Sequence, residues 1–473
     1  MQGSLTSEQV PVPIGAYRPG RRDLRELARL AIPVAVVQVG MMAMGAIDTV
    51  MVGRLTPTDL AAVAIGNLYF LGMAVFGMGV LFALDPVISQ AVGAGAAAAV
   101  ARGVQRGAVL AVGLTVLTSL LLLPAEPILG ALRQPPDVVP IAARYAGASI
   151  LGVYPFYTFA VIRQSLQAMG KVRAIVWTVV AANGANVALN WVFIYGNLGV
   201  PEMGAVGSGW ATSLSRWFML LMLLVVAWPL LRRSLRPFRP EVMALPPLVR
   251  LLRVGAPIGG QQLLEFGVFG AAGLLMGLMG TIAVASHQVA LQLAALTFMV
   301  PVGVAQATSV LVGHAVGRGD PPGTRRSAGA GLLVGAAFMS VTAALFILVP
   351  EPLAAIFTDD RQVIATAAML LPIAGVFQIF DGLQVVAAGV LRGVADTRVP
   401  MILNFVGFWL VGLPVSVGLA FWLDRGPTGV WWGLALGIGI VAILLLRRIR
   451  IRFGRELRRL VIDEPEPQQV SSV

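Results

Sequence analysis

Long apolar stretches, separated by short breaks rich in Gly, Pro and Arg, dominate the pattern of residues along this chain. Stretches such as 107–123 and 331–349 contain no charged residue, and their length approaches the roughly 20 apolar residues that an α-helix needs to cross a bilayer. A spanning β-strand would be shorter and would alternate apolar with polar positions. Because lipid cannot pair with backbone polar groups, such continuous apolar stretches predict membrane-spanning helices.

We predict about twelve spanning helices, and their even number places both chain termini on the same side of the membrane. The helices are expected near residues 27–53, 59–92, 103–123, 138–169, 174–197, 204–231, 248–279, 282–315, 327–349, 362–392, 398–423 and 428–448. The fold class that follows is an all-α polytopic membrane protein.

The composition favours a membrane protein and excludes several other classes. Apolar residues make up 58% of the chain and charged residues 12%, against roughly 25% charged residues in a soluble domain. The mean hydropathy is +0.85, so a soluble fold could not bury this much apolar surface. The lack of Cys in the sequence excludes disulfides and thiolate metal sites. The polar, Arg-bearing segment 1–29 predicts no removable signal peptide.

The distribution of basic residues predicts how the chain is oriented. One set of predicted loops and termini carries the basic groups within 18–29, 232–253 and 447–459, among others. The opposite loops carry only Arg54, Arg133, Arg361 and Arg425. By the positive-inside rule the first set is cytoplasmic, so we expect a multi-pass protein of the bacterial inner membrane with both termini inside. The net charge of +12 therefore indicates contact with anionic membrane lipids and no nucleic-acid partner.

The chain repeats itself at a nearly constant offset. Pro33 and Pro257 are 224 residues apart, and so are Gln38 and Gln262. Two halves of six helices each enter the membrane from the same side, so they form a parallel repeat related by an axis along the membrane normal. Two such bundles around a central cleft are an architecture typical of transporters, because rocking the bundles exposes the cleft to each side in turn.

The predicted domain organisation follows from this repeat and from the basic, Pro-rich link between its halves. The expected parts are a cytoplasmic N-terminal segment at 1–26, a six-helix bundle at 27–231, a cytoplasmic linker at 232–247, a second six-helix bundle at 248–448 and a basic cytoplasmic tail at 449–473. Each bundle is expected to contribute one wall of the central cleft.

Four acidic residues lie well inside predicted helices: Asp48, Asp85, Glu265 and Asp381. An Asp at the centre of a membrane helix costs roughly 2.5–3.5 kcal/mol on insertion scales, so it needs a partner or a purpose. The functional interpretation is a carboxyl that binds an ion or a substrate. The structural one is an acid that pairs with Arg or faces a water-filled gap. Asp85 precedes Pro86, where a helix-distorting or interfacial role is equally open.

The fifth predicted helix adds two amides, Asn186 and Asn190, whose spacing of four places them on one face. Amide oxygens beside a carboxylate suit a hard cation such as Na⁺, whose preferred ligands are oxygens. The alternative role is hydrogen bonding between helices, which is common for Asn in membranes. Arg216, midway along the sixth predicted helix, requires an anionic partner that the sequence does not identify.

Six sequence blocks, taken in order, resemble the multidrug and toxic compound extrusion (MATE) family. They are AIDTVMVGRL (46–55), ISQAVGAG (88–95), NVALNWVFIYG (186–196), GSGWAT (207–212), VASHQVAL (284–291) and VGHAVGRGD (312–320). The similarity extends from about residue 24 to about residue 450. The resemblance implies two six-helix bundles around an outward-opening cleft. It also implies export of amphipathic, often cationic compounds against an inward flow of Na⁺ or H⁺.

The resemblance further implies two groups of site residues. The family's first-half cation site matches Asp48, Asn186, Asn190 and Thr212. The NorM-like branch has an acidic pair in its second half, which matches Glu265 and Asp381, and the DinF-like branch generally lacks it. The NorM-like branch is therefore favoured, with Na⁺ expected at either group. Asn190 is a departure, since some members have Asp there, so the choice between Na⁺ and H⁺ stays open.

Three functions compete at this stage. The first is a cation-coupled exporter that acts as a monomer and needs no cofactor besides its coupling ion. Walker and Rossmann glycine motifs are absent from the sequence, so an ion gradient is favoured over nucleotide hydrolysis as the energy source for transport. The second is a flippase for a lipid-linked precursor, whose cleft should be strongly cationic. The third is an integral-membrane enzyme, which requires clustered acids for Mg²⁺ or a nucleophile with its base, and the sequence has no such pattern.

Overall fold

The computed structural model describes residues 13–463, which fold into helices and contain no β-strand. The first half comprises α1 (Arg21–Val52), α2 (Pro57–Leu81), α3 (Leu84–Gly93), α4 (Ala97–Leu122), α5 (Ala125–Ala131), α6 (Val139–Ile150), α7 (Val153–Ala168), α8 (Arg173–Tyr195) and α9 (Gly204–Leu235). The second half comprises α10 (Leu245–Leu278), α11 (Thr281–Gly317), α12 (Pro321–Leu348), α13 (Pro350–Ala355), α14 (Arg361–Gly393), α15 (Arg398–Asn404), α16 (Leu413–Val417) and α17 (Gly426–Phe453). Short 3₁₀ turns lie at Ile14–Tyr17, Asn197–Gly199 and Pro240–Met243, and π-helical segments at Phe405–Gly412 and Gly418–Trp422.

Within these described residues, eleven helical spans are long and apolar enough to cross a membrane, and the bent pair α6–α7 makes a twelfth if it counts as one span. Each half then contributes six spans, which confirms the predicted all-α polytopic fold. The predicted domain boundaries stay a prediction. Residues 1–12 of the N-terminal segment and 464–473 of the tail lie outside the described part of the chain.

Apolar side chains cover the outside of the helices, and polar ones lie between helices. On α8, Trp177 is 68% exposed, whereas Asn186 and Asn190 are fully buried. Leu274 and Leu278 on α10 are each 76% exposed. Lipid tails are as apolar as these side chains, so their exposure in a membrane is not costly, and polar groups in the interior can bond between helices.

Two predicted helices, 59–92 and 138–169, are each broken, where the sequence predicted one continuous helix. α2 ends before α3 begins, and α6 and α7 meet at an angle of 51°. Pro86 and Pro155 explain the breaks, because each lies in the first turn of the helix that follows the break. A proline there lacks only an N–H that would be unpaired anyway, whereas inside a continuous helix it would remove a hydrogen bond and clash with the preceding turn.

The two halves contact each other near one end, which we call the basic end because it carries Arg102, Lys171 and Arg398. There α1 packs on α11, α2 on α10, and α3 on α11. Where α2 crosses α10, Gly79 faces Gly259, and a Cβ on Gly79 would collide with the backbone of Gly259. Small residues let helix backbones approach closely in a membrane, so this pair of glycines permits the tight seam between the halves.

A short C-terminal segment, residues 454–463, crosses the basic end and contacts both halves. Asp463 accepts a hydrogen bond from Nε of Arg102 at 2.8 Å and another from Nη2 of Arg106 at 2.5 Å, both on α4. Nε of Arg250 on α10 donates to a backbone carbonyl of the same segment at 2.7 Å. The segment therefore joins the first half to the second, and we call it the C-terminal strap.

Gln90 on α3 links the strap to the helices beneath it. Its side-chain oxygen accepts a hydrogen bond from the N–H of Leu460 at 2.7 Å, and its amide nitrogen donates to the carbonyl of Gly393 at 2.8 Å. Gln90 is fully buried, so the loss of either bond would leave a buried polar group unpaired, which is costly. One side chain thus connects the strap, the first half and α14 of the second half.

We expect Asp463→Asn to weaken the strap and to lower the thermal unfolding midpoint of the purified protein. Arg106 is 3% exposed, and a buried polar group that loses its partner costs about 1–3 kcal/mol. Glu456→Gln is the matched control, because the side chains of Arg458 and Glu456 are 77% and 75% exposed and exposed pairs contribute little. Equal midpoints for Asp463→Asn and the wild type would contradict a stabilising strap.

The same ion pair makes the strap sensitive to pH. Partial burial raises the pKa of Asp463, but the hydrogen bonds and positive charges of Arg106 and Arg102 outweigh burial and hold this pKa below its usual value. The stabilisation is therefore complete above the pKa of an unfolded Asp, about 4, and is lost as the pH falls through the lower pKa of the folded state. The difference in midpoint between the wild type and Asp463→Asn should shrink below about pH 4.

Candidate functional site

Asp48, near the end of α1 that lies away from the basic end, is held by three hydrogen-bond donors. Oδ1 accepts from Nδ2 of Asn186 at 3.1 Å and from Nδ2 of Asn190 at 2.6 Å. Oδ2 accepts from Oγ1 of Thr212 at 2.6 Å. The structure thus brings together four residues that the sequence singled out, from α1, α8 and α9, and all of them are buried. We call this group the first-half cluster.

The first-half cluster has one oxygen left over. Asn186 and Asn190 lie one turn apart on α8, and Oδ1 of Asn186 accepts a hydrogen bond from Nδ2 of Asn190 at 3.2 Å. Oδ1 of Asn190 is buried and has no hydrogen-bond partner among the described residues. An unpaired buried acceptor is costly, whereas carboxylate and amide oxygens together are the ligands that a hard cation prefers. The cluster therefore suits Na⁺ or, at its carboxyl, a proton.

Glu265 on α10 is the centre of a second polar cluster. Its Oε1 accepts hydrogen bonds from Nε2 of Gln261 at 3.1 Å, from Nε2 of Gln384 at 2.8 Å and from Nδ2 of Asn404 at 2.5 Å. The donors come from α10, α14 and α15, so three helices of the second half meet at one carboxyl oxygen. We call these four residues, together with Asp381, the second-half cluster.

Asp381 lies on α14, one turn before Gln384, and is 8% exposed. It makes no hydrogen bond or ion pair with any residue of the described chain. The predicted acidic pair is therefore not joined by a direct bond, but the two carboxyls interact electrostatically. A buried carboxyl without a partner is costly unless a proton or a cation neutralises it. Asp381 is therefore the residue of the second-half cluster that is available to bind a proton or a cation.

Sequence reasoning missed three members of the second-half cluster: Gln261, Gln384 and Asn404. Gln261 precedes Glu265 by four residues and Gln384 follows Asp381 by three, so helical spacing was a usable signal for both. Nothing along the chain pointed to Asn404. It comes from another helix, and only the packing of α15 against α10 brings it to the carboxyl.

Asp85 belongs to neither cluster, although its partner Arg392 interacts electrostatically with Glu265 of the second-half cluster. Nη1 of Arg392 on α14 lies 3.8 Å from Oδ2 of Asp85 on α3, and Asp85 is 1% exposed. The guanidinium of Arg392 also lies over the ring of Phe82, 5.1 Å from its centroid. Of the roles that the sequence left open for Asp85, the structure supports an ion pair that joins the two halves at the basic end.

Arg216 on α9, for which the sequence predicted an anionic partner, contacts aromatic rings. Its guanidinium carbon lies 4.1 Å from the ring centroid of Phe70 and 5.2 Å from that of Phe156. Within residues 13–463 it forms no ion pair, and the hydrogen bonds of Asp48 go to amides and a hydroxyl instead. A guanidinium over an aromatic face is stabilised by the ring quadrupole. The charge of Arg216 also interacts electrostatically with Asp48, without a direct ion pair.

Comparison with known proteins identifies relatives along nearly the whole chain. The sequence profile of the MatE family matches residues 33–192 and again 257–417. The chain is 39% identical over 440 residues to the probable multidrug resistance protein NorM of Mesorhizobium japonicum. The alignment covers 90% of this chain and 94% of that protein. It is 37% identical over 463 residues to the multidrug resistance protein PmpM of Pseudomonas aeruginosa, with coverage of 95% and 96%.

Among solved structures, the chain is similar to the eukaryotic MATE transporter AtDTX14. The TM-score is 0.85, over 92% of this chain and 98% of that chain, at 21% sequence identity. At this level of identity the likeness concerns the fold. The two profile matches begin 224 residues apart, which is the offset of the internal repeat in the sequence.

Asp85→Asn should lower the thermal unfolding midpoint, because it removes the carboxylate that forms the ion pair with the largely buried guanidinium of Arg392. Removal of one partner of a buried ion pair costs roughly 3–5 kcal/mol. The double variant Asp85→Asn/Arg392→Gln removes both charges and should recover part of the loss. Glu351→Gln, an exposed acid on α13, is the control and should leave the midpoint unchanged. A double variant no more stable than Asp85→Asn would contradict a direct pair.

Proposed function

The chain belongs to the MatE family, as its sequence blocks predicted, and on this premise we propose that it is a secondary active antiporter. It exports small amphipathic cations, such as drugs and toxic compounds, in exchange for Na⁺ or H⁺. Relatives named as multidrug resistance proteins support this class of substrate. The observation that carries the proposal is one carboxyl-centred polar cluster in each half of the helix bundle.

Ion coupling follows from the cost of a charge inside the membrane. A carboxylate there needs a proton, a cation or hydrogen-bond donors. Asp48 has donors, and beside it Asn190 supplies an unpaired oxygen that Na⁺ can contact. Binding of Na⁺ or H⁺ at Asp48 competes with these donors and rearranges the contacts of α1 with α8 and α9. A membrane potential supplies about 2.3 kcal/mol per charge per 100 mV, which is a sufficient drive for export.

The arrangement of the halves supports alternating access. At the basic end they are held by the seam of Gly79 and Gly259 and by the ion pair of Asp85 with Arg392. Opening this seam while the other end closes would move a shared cleft from one side of the membrane to the other. We assign the basic end to the cytoplasm by the positive-inside rule, so the protein is a multi-pass inner-membrane protein with both termini inside.

The second-half cluster favours a cationic substrate. Asp381 has no hydrogen-bond or ion-pair partner in the described chain, and a desolvated anion placed beside it would meet an unpaired carboxyl. A flippase for a lipid-linked precursor would instead need a cationic cleft for pyrophosphate, and neither cluster supplies one. Each cluster is built from a single chain, so a monomer is sufficient for the proposed transport.

Glu265→Gln and Asp381→Asn should each reduce gradient-driven efflux of a cationic dye from proteoliposomes to the background rate. Both changes keep the size of the side chain and remove its ability to carry a charge. Separately imposed Na⁺ and H⁺ gradients identify the coupling ion in the wild type. Glu351→Gln, the exposed acid on α13, should retain full efflux. Wild-type efflux in both cluster variants would overturn the proposed role of the second-half cluster.

Asp48→Asn separates a coupling role from a structural one. If Asp48 carries the coupling ion, the variant should stay folded and bind dye, but dye release should no longer respond to pH or Na⁺. If Asp48 only ties α1 to α8 and α9, the thermal midpoint and dye binding should fall together. Thr49→Val is the neighbouring control, because Thr49 is exposed and its hydroxyl bonds only to the carbonyl of Gly45 in its own helix. Undiminished ion-coupled efflux in a stable Asp48→Asn variant would exclude both roles.

A further inference from the structure

A cavity of about 660 Å³ lies at the basic end, between helices of both halves. α1 and the start of α8 form part of its wall, together with Leu230 on α9 and Leu311 and His314 on α11. Its volume falls within the roughly 300–1,000 Å³ that is typical of ligand pockets. None of its lining residues belongs to the first-half or second-half cluster, so it is a separate site.

Three basic side chains line this cavity without a partner. Arg29 on α1, Lys171 just before α8 and Arg173 at the start of α8 are exposed. None of them makes a hydrogen bond or an ion pair within the described residues. Glu26, three residues before Arg29, is the one acid among the described lining residues. The cavity therefore has an excess of positive charge that the protein itself does not neutralise.

The N-terminus of α8 adds backbone donors at the same place. Gly170–Ala174 lines the cavity, and Val172, the residue before α8, offers no side-chain acceptor to the first N–H groups of the helix. Gly170 has a φ of +71°, which allows the sharp turn from α7 into α8. A helix N-terminus carries partial positive charge and free N–H groups, which is a favourable arrangement for a phosphate.

The remaining wall of the cavity is apolar. It includes Leu30 and Pro33 on α1, Leu230 on α9 and Leu311 on α11. Leu230 is 42% exposed, so the apolar wall continues onto the outer surface of the bundle. A free phosphate ion would gain nothing from this wall, whereas an acyl chain buries apolar surface against it. The lining therefore matches a ligand with an anionic head and an apolar tail.

We propose that this cavity binds an anionic phospholipid from the leaflet at the basic end. Its phosphate lies among Arg29, Lys171, Arg173 and the N-terminus of α8, and an acyl chain lies along Leu30 and Leu230. Basic pockets between spanning helices are a general means of binding anionic headgroups. This site does not depend on the proposed transport function.

A lipid in this cavity contacts both halves of the protein. Leu311 and His314 belong to α11 of the second half, and Nε2 of His314 lies 2.7 Å from the carbonyl oxygen of Ala168 at the end of α7. A ligand that prefers one arrangement of the halves shifts the population towards it. The bound lipid therefore favours the arrangement in which the basic end is closed.

The experiment compares phosphatidylglycerol with phosphatidylcholine of identical acyl chains, added to the purified full-length protein in detergent. Phosphatidylglycerol should raise the thermal unfolding midpoint and appear as a lipid-bound species in native mass spectrometry, and phosphatidylcholine should do neither. Lys171→Gln/Arg173→Gln should weaken the binding of phosphatidylglycerol roughly tenfold or more. Lys171→Arg/Arg173→Lys keeps both charges and should bind it as the wild type does, which separates the loss of charge from misfolding.

Arg398→Gln is the matched control. Arg398 is the repeat counterpart of Arg173, lies exposed at the start of α15 and does not line the cavity, so Arg398→Gln should bind phosphatidylglycerol as tightly as the wild type. An equal loss of binding in this variant would indicate diffuse attraction to charge and overturn the proposal. Equal stabilisation by phosphatidylcholine would overturn it as well. Displacement of the lipid by inorganic phosphate at a similar concentration would reduce the cavity to an anion site and overturn the lipid assignment.

Discussion

The cost of an unpaired polar group in lipid is the constraint on which the rest of this structure depends. The backbone pairs its polar groups by forming helices across nearly all of the described chain. The carboxyls inside the membrane accept hydrogen bonds from several helices. Asp48 bonds to residues of α8 and α9, and Glu265 bonds to residues of α10, α14 and α15. Because lipid supplies no hydrophobic drive for helices to associate, these polar bonds help to decide which helices meet.

The same constraint makes the two clusters suitable for coupling. Both contain a group whose hydrogen-bonding capacity is not used, the side-chain oxygen of Asn190 in one half and the carboxyl of Asp381 in the other. A fully paired cluster would have little to gain from an ion, whereas a cluster with an open acceptor is stabilised by a cation or a proton. Binding and release at these positions can therefore change the balance between arrangements of the helices.

Contacts between the halves are concentrated at the basic end, away from the first-half cluster. The glycine seam, the ion pair of Asp85 with Arg392 and the C-terminal strap all lie at the basic end. α1 carries both Arg29, which lies beside the proposed lipid cavity, and Asp48, which lies in the first-half cluster. A shift of this one helix would change both sites, so the lipid leaflet and the coupling ion act on a common element.

The sequence by itself determined the membrane class, the number of spans and the repeat, because continuous apolar stretches and constant offsets are properties of the chain alone. It also singled out Asp48 and its amides, since a costly acid and a spacing of four residues are visible without coordinates. Only the tertiary structure decided that Asn404 bonds to Glu265, that Arg392 pairs with Asp85 and that Arg216 lies over aromatic rings. Those partners come from helices far apart in the chain, and which side chains meet depends on how closely and at what angle helices pack, a property that no local pattern encodes.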